Sequence, residues 1–196
     1  MKYIRQSLIA LVIFTILTGV IYPLFIYGVG QVFFREQANG SLIEKDGHLI
    51  GSSLIGQQFS QNKYFWSRPS GTSGSSYNGL ASGPENLGPL NPQLVTETQA
   101  RVKTLELTNP EHKAIPIDLV TSSGSGLDPE ISLAAAEFQI QRIAPARNLA
   151  PAQIQKLIDQ LAQYPILGGM IGEARINVLN LNLALDQLSL TTAEKK

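Results

Sequence analysis

The sequence predicts one N-terminal transmembrane helix followed by an extracytoplasmic α+β domain with short strands and several helices. Three observations predict it. No charged residue lies between Arg5 and Arg35. Further on, short apolar segments bounded by turn residues alternate with segments of helical period. Between them, residues 67–92 are dominated by Gly, Ser, Pro and Asn, with Arg68 and Glu85 as the sole charges.

A chain of 196 residues accommodates one membrane segment and one soluble domain of ordinary size. A formal net charge of zero, with 15% charged residues, argues against a nucleic-acid partner. Such a partner requires a basic stripe to neutralise phosphates. Cysteine is absent, which removes a disulfide framework and any thiolate metal site. The histidines are His48 and His112, too few for a multi-histidine zinc site. No metal site is expected.

Leu8 to Tyr27 is almost continuously apolar. Twenty helical residues rise about 30 Å, enough to cross a bilayer core. The competing reading is a cleaved signal peptide, whose apolar region spans about 7–15 residues and ends at a small-x-small site. The uncharged stretch here is far longer, and no Ala-x-Ala follows it. A retained anchor is therefore expected. Lys2, Arg5 and the terminal amine precede it, and Arg35 beside Glu36 follows it. That excess of positive charge points the N-terminus into the cytoplasm of a single-pass inner-membrane protein. The expected organisation is a cytoplasmic N-terminus (1–7), the membrane helix with its outer flank (8–34), an extracytoplasmic domain (35–190) and a tail (191–196). Thr15 and Gly19 form a small-xxx-small pair where another helix can approach. Pro23 is a candidate kink, Gly28 and Gly30 soften the outer end, and Tyr22 and Tyr27 suit the interface.

Ser41 to Ile50 reads as a hairpin with Asp46-Gly47 at its turn. Ser52 to Gln57 continues that strand or starts another. His48, just past the turn, reads as an exposed residue rather than a ligand. By composition the 67–92 segment is a flexible loop; alternatively it is a binding loop whose Gly and Asn residues permit positive φ while Pro limits its freedom. Asn91-Pro92 starts a helix to about Leu107, with Leu94, Val95, Val102 and Leu105 as a partial apolar stripe. Pro110 and Pro116 punctuate, and Ile115 to Val120 reads as a short strand. Ser132 to Arg147 reads as one helix with Leu133, Ala136, Ile140 and Ile143 inward, broken or kinked near Pro145. A helix from Pro151 presents Ile154, Leu157, Ile158 and Leu161, and ends before Pro165, Gly168 and Gly169. Ile176 to Asn182 reads as a final strand.

Asp118 to Ser132, Asp-Leu-Val-Thr-Ser-Ser-Gly-Ser-Gly-Leu-Asp-Pro-Glu-Ile-Ser, is the most distinctive segment. On physical grounds it is an ordered turn feeding a helix. Asp128 before Pro129 is a candidate N-cap, and Ser132 offers a second cap one turn later. The string closely resembles the C chain of the bacterial potassium-transporting P-type ATPase, the Kdp complex. Gly51 to Gln57 leading into Tyr64-Phe-Trp-Ser-Arg-Pro-Ser70, the Asn86-Leu-Gly-Pro-Leu-Asn91 turn, and Asn177 to Asp186 carry the same resemblance. Two places depart from the pattern: Glu130 stands where His is expected, and Ser82-Gly-Pro-Glu85 replaces a run richer in Gly and Ser.

The resemblance implies a non-catalytic accessory subunit of a high-affinity, ATP-driven potassium importer. It also implies three partners: a channel-like potassium-transporting subunit, a P-type ATPase subunit and a small membrane peptide. Potassium and ATP would then be handled by the complex, and no cofactor is assigned to this chain. Arg68, Pro69, Asn86 and Asn91 fall within the family's motifs, which makes them candidate partner contacts. The Gly124-Ser125-Gly126 turn is a further candidate, because consecutive turn amides can form an anion-binding nest. Asp118, Asp128, Glu130 and Asp186 are carboxylates able to attract potassium near a pore mouth; for Asp128, capping is the preferred reading. A second family-level reading makes the chain a catalytic chaperone that raises the ATP affinity of the ATPase subunit. The unrelated alternative is a membrane-anchored external hydrolase. Ser60 and Lys63 match Ser-x-x-Lys, and Lys103, Lys113 and Lys156 are other candidate bases. Neither Ser-Asp-Asn, Lys-Thr-Gly nor a Gly-x-Ser-x-Gly elbow accompanies them.

Overall fold

The computed structural model describes residues 2–109, 114–165 and 172–193, with side chains as far as Ser189. Pro110, His112, Lys113, Gly168 and Gly169 lie outside the described residues. The chain divides into two compact units, Met1–Ser52 and Ser53–Lys196.

In the first unit, α1 (Lys2–Ile16) runs through a π turn at Leu17–Ile21 into α2 (Tyr22–Phe33), followed by α3 (Arg35–Ala38). Lys2–Phe33 is long and apolar enough to cross a membrane, and none of its most apolar window is buried by the rest of the chain. The π turn sits immediately before Pro23. In an α-helix the proline ring would strike the carbonyl four residues back, that of Gly19. A π turn inserts one extra residue and relieves that clash. Strands β1 (Leu42–Lys45) and β2 (His48–Ser52) then pair antiparallel. Their connection is the expected tight turn, Asp46 and Gly47 both lying at positive φ (53° and 75°). His48 is exposed on β2.

The second unit is a mixed helix and short-strand domain. It contains α4 (Pro92–Thr108), β3 (Glu130–Ser132), α5 (Leu133–Phe138), α6 (Ile140–Arg147), α7 (Pro151–Leu161), β4 (Arg175–Asn177) and α8 (Val178–Ala193). β3 and β4 pair antiparallel with Ile131 opposite Ile176. α5, α7 and α8 pack against this small ribbon, and α6 packs on α5 and α7. Ala135, Ala136, Ile143, Ile154, Ile158, Ile176, Leu181 and Leu185 form the centre of the core. Asn91 caps α4 by accepting from the Gln93 amide at 3.0 Å, with Pro92 in the first turn. Leu105 is the buried member of the α4 stripe, while Val95 is exposed.

Three segments differ from the sequence reading. Ile117–Leu119 is a 3-10 turn, not a strand. It lies against β3 but forms no ladder with a strand among the described residues; instead the Asp118 side chain accepts from the Ser132 amide at 2.7 Å. The helix from Ser132 is interrupted at Gln139, whose N–H bonds three residues back to Ala136. The segment from Ile176 becomes helical after Asn177. Alternating Val178 to Asn182 mimics a strand, but Val178, Leu181, Asn182 and Leu185 are also i, i+3, i+4 and i+7, and all four are buried, with Leu179 beside them. Asn177 starts the helix by accepting from the Asn180 amide at 3.0 Å.

Phe65 is the largest fully buried side chain, yet its segment belongs to no strand. Two buried amides supply the missing ladder. Asn182 accepts from the Phe65 N–H at 2.8 Å and donates to its carbonyl at 3.0 Å. Gln139 accepts from the Trp66 N–H at 2.7 Å and donates to its carbonyl at 3.2 Å. Replacing Asn182 with Ala strands both Phe65 backbone groups, and each buried unsatisfied group costs about 1–3 kcal/mol. We expect Asn182→Ala to destabilise the full-length chain by about 3 kcal/mol in denaturant unfolding in detergent; a loss no larger than that of an exposed helix-surface substitution such as Gln160→Ala would refute this role.

Candidate functional site

The polar loop and the 118–132 segment are stitched into one layer. Arg68 pairs with Asp128 at 3.0 Å and donates to the Ser122 carbonyl at 3.3 Å. Ser70 donates to the Gly126 carbonyl at 2.7 Å and accepts from the Tyr77 N–H at 2.8 Å. Ser82 and the Gly83 N–H both donate to the Ser125 carbonyl, at 3.1 and 2.8 Å. Gly126 is needed here twice over: its φ is +66°, and a Cβ would lie 2.6 Å from the Gly83 carbonyl. Thr72 receives the Asn78 N–H at 3.1 Å and donates to the Ser75 carbonyl at 2.7 Å.

Arg101, projecting from α4, ties the far end. It pairs with Glu85 at 2.7 Å and Glu97 at 3.2 Å, and donates to the Val120 carbonyl at 3.1 Å. Three clefts meet at this side chain. One of about 300 Å³ is lined by Phe59, Trp66, Arg68, Pro69 and Tyr77. A second of about 260 Å³ opens over Trp66, Thr104, Leu105 and Leu119. A third of about 310 Å³ lies between Glu85 to Leu87 and Thr121 to Gly124. In the first cleft, burial pushes the Tyr77 phenol above its ordinary pKa; a hydrogen bond with Ser67 opposes the shift, Asp128 adds to it and Arg68 opposes it. Tyr77 is therefore neutral and donates to the Arg68 carbonyl.

Beneath the loop lie two more arginines. Arg142 is 5% exposed and stacks over Trp66, 4.1 Å from the ring centroid. It donates to the carbonyls of Asn62 and Tyr64 at 2.7 and 3.0 Å and to Gln139 at 2.6 Å. Burial pushes its pKa down to about 10, so it remains cationic near neutrality. Arg147 lies over Tyr64, donates to the Lys63 carbonyl at 2.6 Å and pairs with Asp186 at 2.7 Å.

Of the residues singled out from sequence, Arg68, Pro69, Gly124, Ser125, Gly126 and Asp128 come together in this layer. Asn86 is exposed at its margin with φ +54°, and Asn91 serves as the α4 cap. Asp128 does not cap a helix. Its other oxygen accepts from the Glu130 N–H at 3.0 Å, and β3 follows, because residues 130–132 are held in register against β4. Ser132 is the N-cap of α5, accepting from the Ala135 N–H at 3.0 Å. In the turn at 124–126, the carbonyls of Ser125 and Gly126 hold the loop, and the Gly126 N–H bonds to Ser123. Asp118, Asp128, Glu130 and Asp186 are each engaged, Glu130 with Arg175 at 2.8 Å. No group of three or more His, Asp or Glu able to hold a metal occurs among the described residues. Lys63 places its ammonium 5.2 Å from the Tyr64 ring centroid. In the first unit Thr15 and Gly19 are exposed, with nothing within 4 Å of a Cβ built at Gly19.

Sequence reasoning missed Arg101, Tyr77, Gln139, Arg142 and Asn182. One signal was available: Arg101 lies four residues after Glu97 on a weakly amphipathic helix. Asn182 sits on the apolar face of α8 and Gln139 between apolar Phe138 and Ile140, where polar residues invite a search for partners.

A family model for the K+-transporting ATPase c chain, KdpC, matches residues 4–187. The chain belongs to the KdpC family. It is 54% identical over 187 residues to the potassium-transporting ATPase KdpC subunit of Herpetosiphon aurantiacus, covering 95% of this chain and 96% of the relative. The corresponding subunit of Paraburkholderia xenovorans is 50% identical over 190 residues, 96% of this chain and 98% of its own length. That of Serratia proteamaculans is 50% identical over 189 residues, 96% of this chain and all of the relative. The KdpC match thus takes in the apolar N-terminal helix, the stitched loop and the Arg147–Asp186 pair.

Breaking the Arg68–Asp128 pair removes the first stitch. The pair is partly exposed, its side chains at 25% and 28%, and such solvent-screened pairs contribute about 1 kcal/mol, so the effect should be local rather than global. We expect Arg68→Ala to accelerate proteolytic cleavage within residues 70–88 several-fold while shifting the global unfolding midpoint little. Cleavage at the wild-type rate would show that the loop is held without Arg68.

Proposed function

We propose that this KdpC-family chain is a non-catalytic accessory subunit of a high-affinity, ATP-driven potassium importer. It assembles with and stabilises a channel-like subunit, a P-type ATPase subunit and a small membrane peptide. The proposed topology has the N-terminus in the cytoplasm, the Lys2–Phe33 helix across the inner membrane and the domain from Ser53 onward outside, over the outer face of the channel-like subunit. The relatives' names support the complex, and the charge flanking the helix supports the orientation.

One observation carries the docking part of this reading. The stitched loop holds Leu80 and Leu90 at 99% and 95% exposure, in a segment otherwise dominated by Gly, Ser, Pro and Asn. A loop held by so many side-chain-to-backbone bonds loses little further entropy on binding, which favours its use as a preformed contact surface. Two protruding leucines are suitable anchors for shallow apolar pockets on a partner.

The test is co-purification through a C-terminal tag from native membranes in mild detergent. The wild-type chain should bring down the channel-like and ATPase subunits in fixed ratio. Leu80→Ser with Leu90→Ser should leave unfolding within about 0.5 kcal/mol, as expected of exposed positions, yet lower the recovery of partners several-fold. Full recovery would remove the loop from the interface. Protease added to intact spheroplasts should cut the domain; protection until lysis would overturn the orientation.

A further inference from the structure

The π turn in the N-terminal helix leaves an acceptor uncovered. In an α-helix the carbonyl of Thr18 receives the N–H of residue 22. Here the Tyr22 N–H donates to Leu17 instead. The next donor along the chain would be residue 23, which is proline and has none. Gly19 loses its usual i+4 donor to the same proline. The Thr18 hydroxyl cannot substitute, since it donates to the Phe14 carbonyl at 2.6 Å.

Position makes this consequential. Thr18 lies at the middle of Lys2–Phe33 and also of the apolar run Leu8 to Tyr27. It is therefore at the depth farthest from water when the helix spans a bilayer. Lipid offers no hydrogen-bond donor there, so backbone groups must be satisfied by protein. Among the described residues none covers the site: those around it are exposed, and a Cβ at Gly19 would meet nothing within 4 Å. Gly19 and Thr15 leave that side of the helix low enough for another backbone to approach.

We propose that the Leu17–Ile21 π turn is a docking site for a membrane helix of a partner subunit, which donates a side-chain hydrogen bond to the Thr18 carbonyl at the bilayer midplane. The occupant is a helix carrying Ser, Thr, Asn, Gln or a cationic side chain at that depth. A second copy of this chain fits poorly. Its own Thr18 hydroxyl is already committed to Phe14, and in a parallel pair Thr15 sits about 4.5 Å below the acceptor. The inference rests on the accessory-subunit reading, because it needs partner helices in the same membrane.

The test uses the whole complex purified from native membranes by the C-terminal tag. Pro23→Ala restores an N–H and lets the π turn close; Gly19→Leu keeps the proline and blocks close approach. Ile13→Ala lies on the opposite side of α1, two residues from Thr15, and serves as the control. Both site variants should lower the recovery of partner subunits about tenfold, matching the worth of an interhelical hydrogen bond with its packing, while Ile13→Ala recovers them as wild type does. Wild-type recovery with either site variant overturns the proposal and leaves the carbonyl to water or a local backbone shift. Because the chain has no cysteine, Gly19→Cys gives a clean second readout: efficient disulfide-linked homodimers in membranes would assign the site to a second copy and overturn it equally. If the wild-type chain itself recovers no partner, the accessory-subunit reading fails first, an outcome distinct from failure of the variants alone.

Discussion

The second unit depends on how the backbone of Phe65 and Trp66 is satisfied. Phe65 is fully buried, so its peptide groups must follow it into the core, and no strand lies beside them. Asn182 and Gln139 take the place of a neighbouring strand, each pairing with both the N–H and the carbonyl of one residue. A primary amide is the one uncharged side chain that offers a donor and an acceptor side by side, as a peptide does. Gln139 can reach because the chain breaks between α5 and α6 at that residue, and Asn182 can reach because it lies on the buried face of α8. One buried segment thus fixes the placement of both helical elements.

Order spreads outward from this clamp. Arg142 uses its fixed planar fork to bind two carbonyls of the preceding segment, the Gln139 amide and the Trp66 face together. It has no carboxylate partner among the described contacts, so hydrogen bonds and the ring face replace a counter-ion. Arg147 likewise lies over a ring, that of Tyr64, but has Asp186 as its counter-ion. Once Trp66 is placed, Ser67 and Arg68 emerge at a defined point, and Arg68 meets Asp128 in the distinctive 118–132 segment. The loop composed of Gly, Ser, Pro and Asn is therefore held not by burying apolar surface but by side chains that read backbone carbonyls. Composition argued for flexibility because it counts the first kind of stabilisation and not the second.

That distinction explains what was legible in the sequence. Local devices were: Asp46-Gly47 has the φ angles its turn requires, Asn91-Pro92 and Ser132 start helices, and Ile154 with Ile158 marks a buried stripe whose period needs no tertiary information. The fold class followed from these. Non-local devices were not. Ile115 to Val120 is as apolar as a strand, but a strand exists only when another pairs with it, and Asp118 finds the Ser132 amide instead. Val178 to Leu185 satisfies both a period of two and a helical period; burial of Asn182 against Phe65 decides between them. At the site, Arg68 and the Gly124 to Asp128 turn were legible through family motifs, whereas Arg101, which gathers three clefts, carries no motif and becomes visible through its distances to Glu85 and Val120.

The two units meet the same physical demand in opposite ways. In the second unit the awkward backbone groups at Phe65, Trp66 and the loop turns find partners within the chain. In the apolar helix the awkward group at Thr18 finds none among the described residues, because Pro23 deletes one donor and the π turn diverts another. Mutation could remove that deficit by replacing one proline, at no cost in apolar length. Retaining a polar defect at the centre of a membrane helix is reasonable when a neighbour supplies what the helix lacks. On this argument the domain beyond Ser53 is built to hold its own shape and present a surface, while the anchor is built to be completed by others. Dependence on partners would then reside first in the membrane, and the 67–92 loop would refine a contact that the helix has already made.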